Sequence, residues 1–239
     1  RKCSNRKVEI SIDEPLNTNK IWLEACAKWK KEYPVVLPRH YEENGITANV
    51  YAFVDYLSSQ LPQKSLTAVS NGACCVVGNQ CYQIQKGSRF IINSAIASMG
   101  YGLPAAIGLC ISAGRKPTIC LEGDGSIMMN LQELQTIITN NLPIKIFLIN
   151  NNGYHSIRLT QSNLFSEHSK VGIGPESKDL SFPEFKKIAE AFGYKYFSAH
   201  SNEKMKKVID EVLCVDGPLF CEIFTDTEQP WEPKSSAKK

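Results

Sequence analysis

Between Ser65 and Thr225, short apolar runs alternate with helix-patterned segments, and that alternation leaves few folds open. SLTAVSNG reads as a strand running into a glycine, FIINS as a second, PTICLEG as a third, IKIFLIN as a fourth, and PLFCEIFT closes the pattern. Between them MGYGLPAAIGLCISAG, MMNLQELQTIITN, FPEFKKIAEAFG and NEKMKKVIDEVLC carry helical spacing. Strands this uniformly apolar have no solvent face, so both sides of the sheet need covering. The expectation is an α/β fold, a mostly parallel sheet with helices on both faces.

Upstream of that block, Asn49 can cap a helix that turns Val50, Phe53, Val54 and Leu57 toward a core before Pro62 ends it. Val8 to Ile12 alternates weakly as one strand. Thr18 to Glu32 places Ile21, Trp22, Ala25 and Trp29 on one helical face, with Thr18 or Asn19 as cap. Pro34 and Pro38 then impose an extended connection. Residues 1–40 therefore read as the end of a preceding unit plus a linker, 41–230 as one domain, and 231–239 as a disordered polar tail.

Composition excludes several functions. The formal charge is +3, but seven of the 27 basic residues lie in the two end segments, leaving 20 bases against 24 acids between Val8 and Pro233. No basic stripe interleaved with aromatics is present, so nucleic acid is not an expected partner. No apolar run approaches the roughly 20 residues a membrane span needs. Nine cysteines without a Cys-x-x-Cys pair argue against a disulfide framework or structural zinc and suit reduced thiols in a cytoplasmic protein.

The chemistry concentrates in CLEGDGSIMMNLQELQTIITNNLPIKIFLINNNG, where Asp124 and Asn151 stand 27 residues apart. Each follows an apolar strand, with one helix between, and a strand–helix–strand crossover returns both tips to the same sheet edge. Open α/β sheets bind ligands at that edge. A carboxylate, an amide oxygen and backbone carbonyls form a hard-oxygen set that suits Mg²⁺ bridging to phosphate. Gly123 and Gly125 remove bulk there, and Ser126 opens a helix whose N–H groups favour an anion. The plainer alternative is an ordinary Gly-Asp-Gly turn and an asparagine-rich loop.

With these residues in view, GDGS…NNNG resembles the thiamine diphosphate motif. NSAIASMGYGLPAAIG…LEGDGSIMMNLQELQTI…LPIKIFLINNNGYHSIR resembles the diphosphate-binding domain of the acetolactate synthase group, over about Asn49 to Thr225. The resemblance implies a thiamine diphosphate-binding fold for 41–230 and makes 1–40 the end of a middle domain and its linker. It implies Mg²⁺ on the side chains of Asp124 and Asn151 and the carbonyl of Gly153. It makes Met99 the residue over which the cofactor bends, so that proton removal becomes intramolecular, and makes the Ala97 carbonyl the acceptor for the aminopyrimidine. Asn71, Gly72, Ala73 and Cys74 fall at the diphosphate, with Gly123, Gly125, Ser126 and Tyr154 completing the cofactor set. Acetolactate synthases proper carry Gln-His after this glycine; Ala73 and Cys74 stand here, which leaves mainly backbone contacts.

The implied enzyme decarboxylates a 2-oxo acid such as pyruvate and transfers the two-carbon unit to a carbonyl acceptor. The alternatives are a thiamine-dependent oxidase or decarboxylase, or a non-catalytic module holding Mg-diphosphate ligands for a partner chain. FAD has room as a further cofactor of the full-length enzyme. The family's activating Glu comes from a pyrimidine-binding domain in the same or a partner chain, within a homodimer or tetramer. Glu9, Glu14, Glu24 and Glu122 do not match its context, so the chain is expected to be an inactive carboxyl-terminal fragment on its own. His155 is the histidine placed to exchange a proton with substrate. The segment Arg158 to Phe165 reads either as the acceptor side of the pocket or as solvated loop.

Overall fold

The computed structural model describes residues 19–165 and 170–233; the expected strand at Val8 to Ile12 and the end of the polar tail lie outside them. The chain divides into two compact units, Arg1–Val35 and Val36–Lys239. In the first, α1 (Lys20–Glu32) is capped by Asn19, whose Oδ1 accepts the Trp22 N–H at 3.3 Å. Trp22 and Trp29 meet edge to face, and no residue of α1 is buried.

The second unit is built on a six-stranded, all-parallel sheet of order β2-β1-β3-β4-β6-β5. Its strands are β1 (Leu66–Val69), β2 (Arg89–Ile92), β3 (Thr118–Gly123), β4 (Ile144–Asn150), β5 (Lys195–Ala199) and β6 (Leu219–Phe224). Successive residues of a strand point to opposite faces, so the apolar runs supply two cores. On one face Leu66, Ala68, Cys120, Ile146, Leu148 and Phe220 pack under α4 (Gly102–Ser112), α6 (Glu133–Thr139) and α8 (Phe185–Ala191). On the other, Phe147 meets Phe53 of α2 (Val50–Gln60), which packs against α3 (Ala73–Cys81) and α9 (Asn202–Cys214). Asn49 caps α2, accepting from the N–H groups of Tyr51 and Ala52. The parallel sheet with helices on both faces is the architecture that the alternating pattern requires. Among the described residues no helix is long and apolar enough to cross a membrane.

Four elements differ from the sequence expectations. KYFSA forms β5, an edge strand whose short run of partly exposed residues lacks the apolar signal of the central strands. ACCVVGNQC, to which no helix was assigned from the sequence, is α3; its Gly, Asn and β-branched residues hide the helix from propensity. RLTQSNLF, for which pocket wall and solvated loop were both open, runs through the end of the helix α7 (His155–Leu164) to its cap Phe165. The helix opened by Ser126 is a single turn, α5 (Asp124–Ile127), too short to develop much of a dipole.

Candidate cofactor and metal site

β3 and β4 are neighbours with Gly123 opposite Ile149, so Asp124 and Asn151 leave the sheet at one edge. Asp124 is buried, and its Oδ1 accepts the Gly125 N–H at 2.7 Å while Oδ2 accepts the Gly153 N–H at 3.1 Å. Burial pushes its carboxyl up to about 7 even against those N–H groups. A cation at this edge would favour the ionised form. Asn151 is buried beside it, and its Oδ1 has no hydrogen-bond partner.

The loop that carries Asn151 is held in an unusual shape. Asn152 takes φ +56°, a left-handed conformation that asparagine tolerates better than most residues. Gly153 takes φ +152°, and a Cβ there would collide with the Ile173 carbonyl and the Arg158 guanidinium. Arg158 is fully buried and donates to the carbonyls of Thr227 at 2.8 Å, Gly174 at 2.5 Å and Ile173 at 3.3 Å, and more weakly to Asn152 at 3.4 Å. Its Nε lies 3.4 Å from Glu176 and 3.5 Å from Glu228. Arg158 thus ties the loop after β4 to two segments distant in sequence instead of facing the pocket.

One cavity gathers nearly all the sequence candidates. From the β1–α3 turn come Asn71, Gly72, Ala73 and Cys74; Met99 enters from the segment before α4. GDGS contributes Gly123, Asp124, Gly125 and Ser126, and the loop after β4 contributes Asn151, Gly153, Tyr154 and His155. Ala97 is the candidate that does not line it; it adopts φ +53° and donates its N–H to Asn93. Ser156 and Ile157 line the cavity without having been singled out, because only the fold turns the first face of α7 inward.

Gly72, at φ +64°, precedes α3, whose first N–H groups lack intrahelical acceptors and open beside this cavity. A Cβ on Gly125 would overlap the ring of Tyr154, so close packing requires glycine there. Ser126 Oγ accepts the Gly100 N–H at 2.8 Å and pairs with Ser70 Oγ at 2.7 Å, while Asn130 Nδ2 donates to the Gly100 carbonyl at 2.8 Å. Gly100 is therefore gripped from both sides, which fixes Met99 next to it. Asn130 escaped the sequence reading, although its spacing of four from Ser126 was a usable signal.

Glu122 is fully buried, its Oε2 makes no hydrogen bond, and burial pushes its carboxyl up to about 7. The Cys74 thiol is pushed well above the usual range by burial and by Glu122 and Asp124, so it stays neutral. His155 lines the cavity, but its Nε2 lies 2.8 Å from the Gln229 carbonyl and its Nδ1 3.5 Å from Arg158. The carbonyl makes Nε2 the protonated nitrogen, and burial lowers the ring's basicity. Both nitrogens are turned to protein, so His155 stands here as a structural tie. Among the described residues no cluster of three His, Cys, Asp or Glu side chains could hold a metal. The available ligands are one carboxylate, one amide and backbone carbonyls.

The family model for the thiamine pyrophosphate enzyme, C-terminal TPP binding domain, matches residues 70–223. An acetolactate synthase large subunit from Cyanidium caldarium is 32% identical over 220 residues, covering 91% of this chain and 35% of that protein. The large subunit of acetolactate synthase isozyme 2 from Escherichia coli (strain K12) is 28% identical over 222 residues, covering 92% and 39%. The corresponding subunit of Porphyra purpurea is 30% identical over 207 residues, covering 83% and 32%. The chain spans about a third of the length of these curated relatives. The matched segment runs from the end of β1 into β6 and so takes in both strand tips; the chain belongs to the thiamine pyrophosphate enzymes, as their C-terminal TPP-binding domain.

Proposed function

We propose that this chain holds the diphosphate of thiamine diphosphate through Mg²⁺, in an enzyme that decarboxylates a 2-oxo acid such as pyruvate and passes the two-carbon unit to a carbonyl acceptor. The observation that carries the reading is the unpartnered Asn151 Oδ1, buried beside a carboxylate that burial has pushed up to about 7. A native protein rarely leaves such an atom unanswered unless something else completes it. Asp124, Asn151 and the Gly153 carbonyl offer only hard oxygen, the set Mg²⁺ prefers.

The backbone at Asn71, Gly72, Ala73 and Cys74, with Gly123, Gly125, Ser126 and Tyr154, would receive the cofactor around the ion. When bound, thiamine diphosphate supplies the electron sink that 2-oxo acid decarboxylation needs. Met99, fixed by the grip on Gly100, would support the bend of the cofactor, with the Ala97 carbonyl as acceptor for its ring. Surrounding apolar walls would exclude water. A pyrimidine-binding domain in the same or a partner chain, within a dimer or tetramer, would supply the activating carboxylate, leaving this chain inactive alone. Every described cysteine is free, which supports a reducing, cytoplasmic setting.

The test uses the full-length enzyme with labelled pyruvate, thiamine diphosphate and Mg²⁺. The expected result is release of carbon dioxide and a product with a new carbon–carbon bond, abolished by chelating Mg²⁺. Free acetaldehyde, or acetate formed with bound FAD, would move the assignment to a decarboxylase or oxidase. Turnover indifferent to both cofactor and Mg²⁺ would overturn it.

A further inference from the structure

Three asparagines stand in a row after β4 begins to leave the sheet, and the metal reading uses only the second. Asn152 takes the left-handed turn. Asn150, the last residue of β4, makes a different pair of bonds: Nδ2 donates to Glu222 Oε1 at 2.6 Å, and Oδ1 accepts the Asn152 N–H at 2.9 Å. Glu222 lies on the neighbouring strand β6 and is 3% exposed. Its other oxygen accepts the Tyr196 hydroxyl, from β5, at 2.5 Å. Burial and the carboxylate push the Tyr196 phenol far above its usual range, so it remains a donor. The Asn150 carbonyl accepts the Thr225 N–H at 2.9 Å, so strand pairing fixes the backbone while Glu222 fixes the side chain.

An asparagine amide has a donor on one side and an acceptor on the other, and exchanging them costs nothing in shape. The Glu222 oxygen that faces Asn150 is an acceptor. Its presence selects the orientation with Nδ2 toward β6, which leaves Oδ1 for the Asn152 N–H. We propose that Glu222 is a positioning residue for the metal loop: held by Tyr196, it locks Asn150 in one orientation and so sets the turn that presents Asn151 and Gly153. The inference rests on the reading of Asp124, Asn151 and Gly153 as Mg²⁺ ligands. It gives the repeated asparagines separate tasks, with the first shaping the loop, the second offering a ligand and the third making the turn.

The experiment is calorimetric titration of Mg²⁺ into the full-length enzyme saturated with thiamine diphosphate, alongside the ligand-free unfolding midpoint. Glu222→Gln presents an amide that no longer dictates how Asn150 faces, and Mg²⁺ affinity should fall about 10- to 100-fold, as for other groups that orient metal ligands. Tyr196→Phe keeps the carboxylate and should cost about threefold. The double variant Asn150→Asp with Glu222→Gln reverses donor and acceptor between β4 and β6 at unchanged net charge. It still offers an oxygen to the Asn152 N–H and should recover to within about threefold of the parent. A purely structural role would follow the unfolding midpoint and ignore this reversal.

Parent-like Mg²⁺ affinity in Glu222→Gln, or a double variant as weak as the single one, would overturn the proposal. If Glu222→Gln does not fold, Tyr196→Phe and the double variant decide it, and parent-like affinity in Tyr196→Phe overturns it. Asp124→Ala runs in parallel. Undiminished Mg²⁺ binding there would sink the metal site and this inference together, whereas loss there with none in Glu222→Gln would sink the inference alone.

Discussion

The two ends of the parallel sheet treat buried polar groups in opposite ways. Near the start of β4, Lys145 is 6% exposed and its ammonium donates to the carbonyls of Val212, at 2.6 Å, and Val215, where α9 ends. The Val215 carbonyl lies past the last turn of α9 and the Val212 carbonyl otherwise receives only the Val215 N–H, at 3.4 Å, so a cation at this helix end answers them. At the other end of β3 and β4, Glu122 Oε2 and Asn151 Oδ1 are buried without partners. The same sheet that satisfies a charge at one end leaves one amide oxygen and one carboxyl oxygen unanswered at the other. Burying a polar atom without a partner costs about 1–3 kcal/mol, and among the described residues both such side-chain atoms lie at this edge, which is what the proposed metal reading requires.

The largest test of this contrast is Gly153→Ala. The added methyl would meet the Ile173 carbonyl and the Arg158 guanidinium at a left-handed φ. Denaturant unfolding should show a loss of about 3 kcal/mol, with Mg²⁺ binding lost as well. Retention of both would mean that the loop is looser than its packing implies.

Lys145→Met probes the satisfied end. It removes the ammonium from two carbonyls, of which Val212 keeps only the 3.4 Å bond from the Val215 N–H, and the expected loss is about 2 kcal/mol. Mg²⁺ affinity should be unchanged, because the substitution sits at the far end of the strand. A matching fall in metal affinity would show that the two ends are coupled and weaken the comparison.

Ser126→Ala should have the smallest effect, about 1 kcal/mol, from releasing Gly100 and Ser70. Thiamine diphosphate affinity should fall more than Mg²⁺ affinity, since the grip on Gly100 fixes Met99 and not the ion. An equal fall in both, measured by titration, would assign Ser126 to the metal edge instead.

How much of this was legible in the sequence follows the same division. The central strands could be read because both their faces are apolar, and the Asp124 and Asn151 pair because a crossover fixes where both tips emerge. β5 was missed because an edge strand needs less apolar surface, and α3 because Ala73 to Cys81 has weak helical propensity. Contacts of long sequence separation were invisible. Nothing near Arg158 announces that it will bind the carbonyls of Gly174 and Thr227, or that His155 will be taken up by Gln229. The helix after GDG looked long by its apolar spacing, but Ser126 and Asn130 turn inward to hold Gly100, and the regular helix α6 starts only at Glu133. The sequence therefore reported the central parallel strands, and the shared edge of Asp124 and Asn151, better than it reported what holds the loops in place.

The most direct measurement is Mg²⁺ titration of Asn151→Ala in the full-length enzyme with saturating thiamine diphosphate, paired with unfolding of the ligand-free protein. An unanswered atom reserved for an ion predicts Mg²⁺ affinity weakened by at least about tenfold, while ligand-free stability stays level or rises. Unaltered Mg²⁺ binding, or a ligand-free protein that loses stability as if a satisfied hydrogen bond had been cut, would contradict it.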